Sequence, residues 1–326
     1  MTVYVPARNE AEIIEQSLES ILAQRSARVV TNDDASTDQT PAILDRLARA
    51  HADLTVLRGS GPQPGECGKP AALREAVRKY PAETPWLAFV DADVVLEPGA
   101  LRALVEAAET SNADLVSILP RLELSTLVEQ LVMPSIGALV LARYPPRRVT
   151  DPNSKTAFAN GQTILIRRGI YERVGGHDSV VGEVLEDVAL AERVKWGGGR
   201  LGLFDGRALA HTRMYAGWRE LREGWSKNLH LLLGRSVLGS IAVAVGSLVL
   251  GWSGVASLLL GPPGWIAYAV SLGVAGLVRL RIGSRPWMAL LAPLGAILTA
   301  WVITESLLRH VRRGRVRWKG REYAGG

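Results

Sequence analysis

Residues 86–93 read Trp-Leu-Ala-Phe-Val-Asp-Ala-Asp and decide the fold class. Five apolar residues run directly into two aspartates, a pattern typical of a buried strand that ends at a polar sheet edge. Other short apolar runs rich in β-branched residues alternate with helical patterns along the first 235 residues. The predicted strands are Thr2–Pro6, Arg28–Asn32, Leu54–Arg58, Trp86–Val90 and Leu115–Leu119, and the predicted helices are Glu10–Gln24, Pro41–Ala50, Pro70–Tyr80 and Pro98–Glu109. This alternation predicts an α/β domain whose mostly parallel sheet carries helices on both faces.

Polar clusters follow three of the predicted strands. They are residues 6–10 (Pro-Ala-Arg-Asn-Glu), residues 33–38 (Asp-Asp-Ala-Ser-Thr-Asp) and residues 91–93 (Asp-Ala-Asp). Because parallel strands end at one edge of the sheet, where such sheets bind ligands, we expect the three clusters to lie together. Crowded carboxylates need a cation, and Asp91 with Asp93 suits Mg²⁺ or Mn²⁺, which also take phosphate oxygens. The alternative is a solvated turn with two acidic residues.

Further candidate residues lie between and beyond these clusters. Lys69 ends the glycine-bearing loop 65–70 just before a helix, so that it could hold a diphosphate, although the spacing is not that of a P-loop. Residues 160–162 (Asn-Gly-Gln) precede another predicted strand, Thr163–Arg167.

Two acidic residues, Glu186 and Asp187, follow a loop that begins with Gly175-Gly176-His177, and a helix is predicted from them to about Trp196. Asp187 is interpreted either as a helix N-cap or as a general base that takes a proton from an acceptor hydroxyl. His211 follows a predicted strand at residues 207–210 and either contributes to a metal or phosphate site or simply packs.

Composition narrows the function further. Of 326 residues, 48% are hydrophobic and Cys67 is the only cysteine, which excludes disorder and a disulfide-stapled scaffold. The net charge of +6 is concentrated at the C-terminus, where seven cations lie between Arg309 and Arg321 without an acidic residue. The remaining 31 basic and 32 acidic residues nearly balance, so we expect no nucleic-acid partner. The basic tail instead indicates attraction to anionic lipid headgroups.

The C-terminal third is predicted to lie in a membrane. Val237–Leu260 contains 24 uncharged residues, whereas about 20 helical residues cross the hydrocarbon core. After a Pro-Pro-Gly break, Trp265–Val278 offers only 14 uncharged residues, and Pro286–Thr304 offers 19. We therefore expect a catalytic domain at residues 1–235, two or three transmembrane helices at residues 236–306 and a basic interfacial tail at residues 307–326. The stretch Gln130–Ala142 is too short to cross and is expected to lie either at the headgroups or on the sheet.

The number of membrane crossings stays open. The chain is expected to cross either twice, with one additional re-entrant segment, or three times. The positive-inside rule favours an even number, because it places both the first domain and the tail in the cytoplasm. No signal peptide is expected, since Met1 leads directly into the first strand. The predicted location is the inner cell membrane, with a multi-pass anchor and the catalytic domain facing the cytoplasm.

The ordered motifs resemble those of family 2 glycosyltransferases with the GT-A fold, over residues 1–230. The resemblance implies inverting transfer of a sugar from a nucleotide-diphosphate donor, with Mg²⁺ or Mn²⁺ bound by the Asp-Ala-Asp pair. It also implies roles for individual residues. Pro6, Ala7, Glu10, Asp34, Lys69 and Asp91 would bind the nucleotide sugar, Asp93 and Asp91 would bind the metal, and Asp187 with Glu186 would form the catalytic pair.

The second half is similar to membrane-anchored members that glycosylate lipids, such as carotenoid- and hopanoid-associated transferases. The Gln-x-x-Arg-Trp motif of processive polysaccharide synthases has no match here, which argues against a polymer product. The resemblance therefore implies transfer of one sugar, expected to be UDP-linked, to a lipophilic hydroxyl, with no firm expectation about oligomers. Two alternatives remain: a polyprenyl-phosphate glycosyltransferase, and a non-catalytic membrane protein that keeps the fold for binding.

Overall fold

The computed structural model describes residues 1–25, 27–313, 315–318 and 321–324, with side chains up to residue 311. The chain forms two compact units. The first comprises Met1–Arg121 and Tyr144–Thr212, and the second comprises Leu122–Arg143 and the residues from Arg213 onward. This division differs from the single boundary expected near residue 235, because Leu122–Arg143 and residues 213–235 group with the C-terminal helices.

The helices and strands follow one another in this order. The chain begins with β1 (Thr2–Ala7), α1 (Ile14–Leu22), β2 (Arg28–Asp33), α2 (Thr40–Ala50), β3 (Leu54–Arg58), α3 (Gly68–Lys79), β4 (Trp86–Val90), β5 (Val94–Leu96), α4 (Ala100–Thr110), β6 (Leu115–Leu119) and β7 (Arg121–Leu122). It continues with α5 (Leu127–Arg143), α6 (Pro146–Thr150), β8 (Thr163–Arg167), α7 (Arg168–Arg173), α8 (Glu186–Trp196), β9 (Leu201–Asp205), β10 (Ala210–Thr212) and α9 (Trp218–Leu232). It ends with α10 (Val237–Ser257), α11 (Pro262–Ile282), α12 (Ala292–Arg313), β11 (Arg315–Trp318) and β12 (Arg321–Ala324).

A seven-stranded sheet forms the centre of the first unit. Its strand order is β3-β2-β1-β4-β8-β6-β9, and every neighbouring pair is parallel except the two pairs that contain β8. The strands are nearly all apolar, and the buried core beside them includes Val5, Leu18, Val90, Leu104 and Val116. A mostly parallel sheet buried on both faces is the predicted α/β architecture, which is thereby confirmed.

The predicted strands match the structure to within a residue, with one exception, and the short strands β5, β7, β11 and β12 were not predicted. Residues 207–209 form a turn, and the strand expected there begins only at Ala210. The sequence analysis also did not predict β9, in which Gly202 interrupts the apolar pattern. A Cβ at Gly202 would lie 2.7 Å from the Phe204 ring and 3.3 Å from Val116. The strand therefore depends on its parallel pairing with β6, which local sequence does not encode.

The second unit is helical. Four of its segments are long and apolar enough to cross a membrane, as judged by length and composition: residues 127–150, which extend into α6 of the first unit, and residues 237–260, 262–282 and 286–311. Two of these segments are longer than the short uncharged stretches found in the sequence analysis. The middle segment is a 21-residue helix because prolines open it and Arg279 and Arg281 occupy its last turn. The stretch around Gln130–Ala142 extends to α5, which packs on α12. The side chains of most of the predicted basic tail lie outside the described residues.

Candidate active site

The predicted nucleotide-binding residues lie at the ends of two adjacent strands. The parallel register of β1 and β2 pairs Pro6 with Asn32 and Ala7 with Asp33. Asp34, the next residue, donates its backbone N–H to the carbonyl oxygen of Ala7 at 2.8 Å. Pro6, Ala7 and Asp34 are thus brought together, as the parallel sheet predicts.

The loops after these strands are tied to each other. The Arg8 guanidinium donates to the Asp34 carbonyl oxygen at 2.6 Å, and the Glu10 N–H donates to Thr40 Oγ1 at 2.8 Å. The Asp33 side chain, by contrast, has a structural role. Its buried carboxylate accepts hydrogen bonds from Arg58 Nη1 at 2.8 Å and from the Ser36 N–H at 3.1 Å. The two neighbouring aspartates therefore have different surroundings.

A second group surrounds Lys69, in the first turn of α3. Its ammonium lies 2.7 Å from Asp91 Oδ1 and 2.9 Å from Glu186 Oε1, and it donates to the Gly161 carbonyl oxygen at 3.4 Å. Burial lowers the pKa of Lys69, but the negative charges of Asp91, Glu186 and Asp187 raise it well above its ordinary value. Lys69 is therefore a permanent cation among an excess of carboxylates, whose remaining charge favours a second cation.

Asp187 is the second residue of α8, whose N-cap position is Leu185. The N-cap interpretation of Asp187 is thus wrong. Its Oδ2 instead accepts the Gly161 N–H at 2.7 Å, and its Oδ1 accepts the Val188 N–H at 2.8 Å. Burial and the neighbouring charge of Glu186 raise the pKa of Asp187 to about 6, against the opposing effects of Lys69 and the two N–H groups. A carboxylate with such a pKa can accept a proton near neutral pH.

Gly161 is a residue that the sequence analysis located without assigning a role. Besides making two backbone hydrogen bonds, Gly161 lets the Asp187 carboxylate and the Lys69 ammonium lie where a side chain would collide with them. A Cβ there would lie 2.8 Å from Asp187 Oδ2 and 2.9 Å from Lys69 Nζ. The only signal in the sequence was its position in Asn160-Gly161-Gln162 before a strand. The contacts with Lys69 and Asp187, 92 and 26 residues away, could not be read from it.

The residues predicted to hold a metal are only partly brought together. Asp91 and Asp93 lie in the turn between β4 and β5, and Asp93 Oδ1 is buried. His211 lies on β10, where its Nδ1 is 3.3 Å from Glu97 Oε1. Across the described residues, no three His, Cys, Asp or Glu side chains are grouped closely enough to hold a metal. His211 Nδ1 is thus paired with Glu97, and the participation of His211 in a metal site with Asp91 and Asp93 stays a prediction.

The donor chemistry of the aspartate pair nevertheless fits a divalent ion. Carboxylate oxygens are the ligands that Mg²⁺ and Mn²⁺ prefer, and such ions are commonly held by one or two carboxylates plus phosphate oxygens. With two protein carboxylates and no third protein ligand in the described part of the chain, the coordination would have to be completed by substrate or water.

An aromatic cluster supports the site from the sheet. Phe89 of β4 stacks on Tyr4 and meets the edge of the buried His177 ring, with ring centroids 4.6 Å apart in the second pair. The Tyr171 hydroxyl accepts the His177 backbone N–H and lies 2.9 Å from His177 Nδ1. Burial lowers the pKa of His177 to about 3, so this imidazole is neutral at physiological pH. The cluster anchors the start of the loop that leads to Glu186.

Comparison with known families decides where the chain belongs. The model of glycosyl transferase family 2 matches residues 2–175, more than half of the chain. The chain belongs to glycosyl transferase family 2. The expected family is thereby confirmed, and the matched range contains Asp34, Lys69, Asp91, Asp93 and the turn at Gly161.

Curated proteins are similar over a longer stretch of the chain than the family model. The 4,4'-diaponeurosporenoate glycosyltransferase of Staphylococcus aureus (strain USA300) is 28% identical over 238 residues, which cover 70% of this chain and 60% of that protein. The chain thus spans about 60% of the length of the curated relatives that it matches.

A solved structure shares the fold. The mannosyltransferase PcManGT from Pyrobaculum calidifontis, in complex with GDP-Man and Mn²⁺, has a TM-score of 0.57 and 20% identity, covering 95% of this chain and 86% of that chain. At this identity the likeness shows the fold, which is the GT-A-like α/β fold expected for the family.

Proposed function

We propose that this chain is an inverting glycosyltransferase that moves one sugar from a nucleotide-diphosphate sugar to a hydroxyl of a lipophilic acceptor at the membrane. The observation that carries the proposal is the partly buried Asp187, held by the Gly161 N–H beside the pair formed by Lys69 and Asp91. This arrangement combines a proton acceptor with a cation that suits a diphosphate, and inverting sugar transfer needs both.

The donor is proposed to be UDP-linked. Its nucleoside would lie at the ends of β1 and β2, on Pro6, Ala7, Glu10 and Asp34. Membership of family 2 supports a nucleotide-sugar donor. The similar mannosyltransferase, which is complexed with GDP-Man, supports the diphosphate class but a different base. Donor tests must therefore include both UDP- and GDP-sugars.

Divalent metal dependence is part of the proposal. Asp93 and Asp91 would hold Mg²⁺ or Mn²⁺, and the Mn²⁺ of the similar mannosyltransferase complex supports this assignment. When bound, the ion would neutralise negative charge on the nucleotide diphosphate as a Lewis acid. Lys69 adds a fixed positive charge from the protein on the same side of the site.

Asp187 is proposed to act as the general base. It removes the proton of the acceptor hydroxyl while the acceptor oxygen forms a bond to the anomeric carbon. The bond from that carbon to the diphosphate oxygen breaks on the opposite face, and its electron pair leaves with the nucleotide diphosphate. The configuration at the anomeric carbon is therefore inverted. The proton remains on Asp187, whose pKa of about 6 suits this exchange near neutral pH.

A lipophilic acceptor is supported by the second unit and by the relatives. The four candidate membrane spans would keep the enzyme at the bilayer, and the Staphylococcus aureus relative is named for 4,4'-diaponeurosporenoate. We place the protein in the inner cell membrane as a multi-pass protein with its first unit facing the cytoplasm, so that it meets cytoplasmic nucleotide sugars.

The direct test is to incubate membranes that contain the protein with labelled UDP- and GDP-sugars and to analyse the extracted lipids by mass spectrometry. A discrete glycolipid formed only with Mg²⁺ or Mn²⁺ is the expected product, and membranes carrying Asp187→Asn serve as the matched control. Labelled polymer would overturn single transfer. Near-normal turnover of Asp187→Asn would point to a phosphate acceptor, which needs no base. The absence of any transfer or nucleotide-sugar binding would favour a non-catalytic role.

A further inference from the structure

The turn at residues 160–162 connects three parts of the site. The Asn160 N–H donates to Ser117 Oγ at 2.8 Å, which fixes the turn to β6. The Gly161 N–H donates to Asp187, and the Gln162 carbonyl oxygen accepts the Asp91 N–H at 3.0 Å. Gln162 therefore belongs to a segment that contacts the proposed base on one side and the proposed metal-binding turn on the other.

Hydrogen bonds determine how the Gln162 side chain is oriented. Asn160 Nδ2 donates to the Ile118 carbonyl oxygen at 3.2 Å and to Gln162 Oε1 at 2.9 Å. A carbonyl oxygen can only accept, so Ile118 fixes which end of the Asn160 amide is the NH₂ group. Gln162 must then present its oxygen to Asn160, and its own NH₂ group is turned away from Asn160.

That NH₂ group is buried without a protein partner. Gln162 is only 7% exposed, and its Nε2 has no hydrogen-bond acceptor among the residues that the structure describes. A buried donor without an acceptor is unfavourable, and native proteins rarely retain one without a reason. Unlike a hydroxyl, an amide cannot rotate its hydrogens toward a different acceptor. The group is therefore prepared for an acceptor that arrives with the substrate.

We infer that Gln162 Nε2 donates a hydrogen bond to a hydroxyl of the transferred sugar and thereby contributes to donor-sugar specificity. The inference rests on the proposed function, in which the sugar lies between the diphosphate at Asp91 and the acceptor oxygen at Asp187. Gln162 lies between these two sides, because its carbonyl oxygen accepts the Asp91 N–H and the preceding residue, Gly161, donates to Asp187.

A sugar hydroxyl fits this position better than a phosphate oxygen. The carboxylates of Asp91, Glu186 and Asp187, which lie around Lys69, accept hydrogen bonds and repel additional negative charge. A hydroxyl can accept from Gln162 and at the same time donate to a carboxylate, whereas an ionised phosphate can only accept. Phosphate oxygens have Lys69 as their cationic partner instead.

The test compares the preferred nucleotide sugar with analogues that each lack one sugar hydroxyl. In the wild-type protein, one analogue should lose at least about tenfold in kcat/KM, since a hydrogen bond contributes roughly this factor. In Gln162→Glu, which retains the oxygen facing Asn160 but loses the donor, the difference between that analogue and the parent should shrink to less than about threefold. Gln162→Met, which lacks any polar group, should show the same narrowing.

Thr163→Val is the matched control, because it alters the adjacent buried residue without touching the Gln162 amide. It should keep the full discrimination. The inference is overturned if no deoxy analogue is discriminated by the wild-type protein, whether or not the variants fold. It is also overturned if both Gln162 variants discriminate as the wild type does. Failure of the wild type to transfer any sugar would instead contradict the proposed function itself.

Discussion

The backbone N–H of Gly161 donates to Oδ2 of Asp187 at 2.7 Å, and the position of a Cβ on Gly161 would lie 2.8 Å from the same oxygen. A glycine thus holds the proposed base and also sets how closely the backbone approaches it. Real Cβ atoms do not approach other atoms this closely, so any side chain at residue 161 must displace the carboxylate or the Lys69 ammonium.

Gly161→Ala should therefore reduce catalysis more than stability. We expect kcat/KM for sugar transfer to fall by about 10- to 100-fold, because displacing a reacting group by a fraction of an ångström to 1 Å has effects of that size. The melting temperature should change little, since the displaced groups are side-chain ends. Gly169→Ala is the control, as a Cβ there would meet nothing within 4 Å. Equal rates in the two variants would contradict the role of Gly161.

The rate should depend on pH through Asp187. Only the deprotonated carboxylate accepts a proton, and its pKa is raised to about 6. Transfer should thus be constant above pH 7 and fall about tenfold per pH unit well below pH 6. Initial rates between pH 4.5 and 8 would measure this fall, which is the acidic limb of the pH–rate profile. Asp187→Asn should lower the rate by about 10² to 10⁴ and abolish the limb. An unchanged limb in this variant would show that another group titrates.

Two substitutions should move that limb in opposite directions. The Glu186 charge raises the pKa of Asp187 and the Lys69 charge lowers it. Glu186→Gln should therefore shift the limb to lower pH, and Lys69→Met should shift it to higher pH while reducing the maximal rate. Lys79→Met is the control, because its exposed ammonium pairs only with Glu75 in the described structure. Shifts of the same sign in both site variants would contradict the charge arrangement.

Tyr171→Phe should lower stability through His177. The hydroxyl lies 2.9 Å from His177 Nδ1 and accepts the His177 N–H, so its removal leaves two buried polar groups without this partner. We expect a loss of about 1–3 kcal/mol in the free energy of unfolding, measured by denaturant titration in detergent. The affinity for nucleotide diphosphate should remain within about twofold, because the Tyr171 hydroxyl contacts His177 and the substitution leaves the proposed nucleotide-binding side chains in place. A variant as stable as the wild type would contradict this account.

Gly295→Ala should destabilise the helical unit. A Cβ at Gly295 in α12 would lie 2.8 Å from the Leu131 carbonyl oxygen in α5, and a backbone atom cannot yield without moving the helix. Overpacking of this kind costs about 1–3 kcal/mol. Gly246→Ala in α10 is the matched control, since a Cβ there meets nothing within 4 Å and alanine favours a helix. In detergent, the melting temperatures of the two variants should differ by several degrees. Identical melting temperatures would argue against close packing of α5 on α12.

The sequence was sufficient for features that depend on local pattern. The buried strand Trp86–Val90 and the 24-residue apolar segment Val237–Leu260 are found as predicted, because apolar runs of those lengths have few alternatives. Pattern was insufficient where partners lie far apart in the chain. From its own residues, α5 is expected either at the lipid headgroups or on the sheet, whereas it packs on α12, more than 150 residues later.

Prediction of the site was limited in the same way. Asp34 and Asp91 could be singled out because each follows a strand of the parallel sheet, and Lys69 because it precedes a helix. The partner of His211 was not found, since Glu97 reaches it only through the pairing of β5 with β10. The orientation of Gln162 likewise depends on a carbonyl oxygen of β6, which no local motif reveals.

The reversed direction of β8 has a consequence for how this protein can diversify. The residues that follow a buried strand lie at the edge of the sheet, and their positions are constrained by the packing of that strand in the core. β8 instead enters the sheet from the edge that carries the site, so the segment before it, residues 151–159, leads into the site, and its last three residues are buried there. Exchange of that segment between homologues should alter the preference for the acceptor or the sugar. The affinity for the nucleotide should stay the same, because its proposed binding residues lie at the ends of β1 and β2.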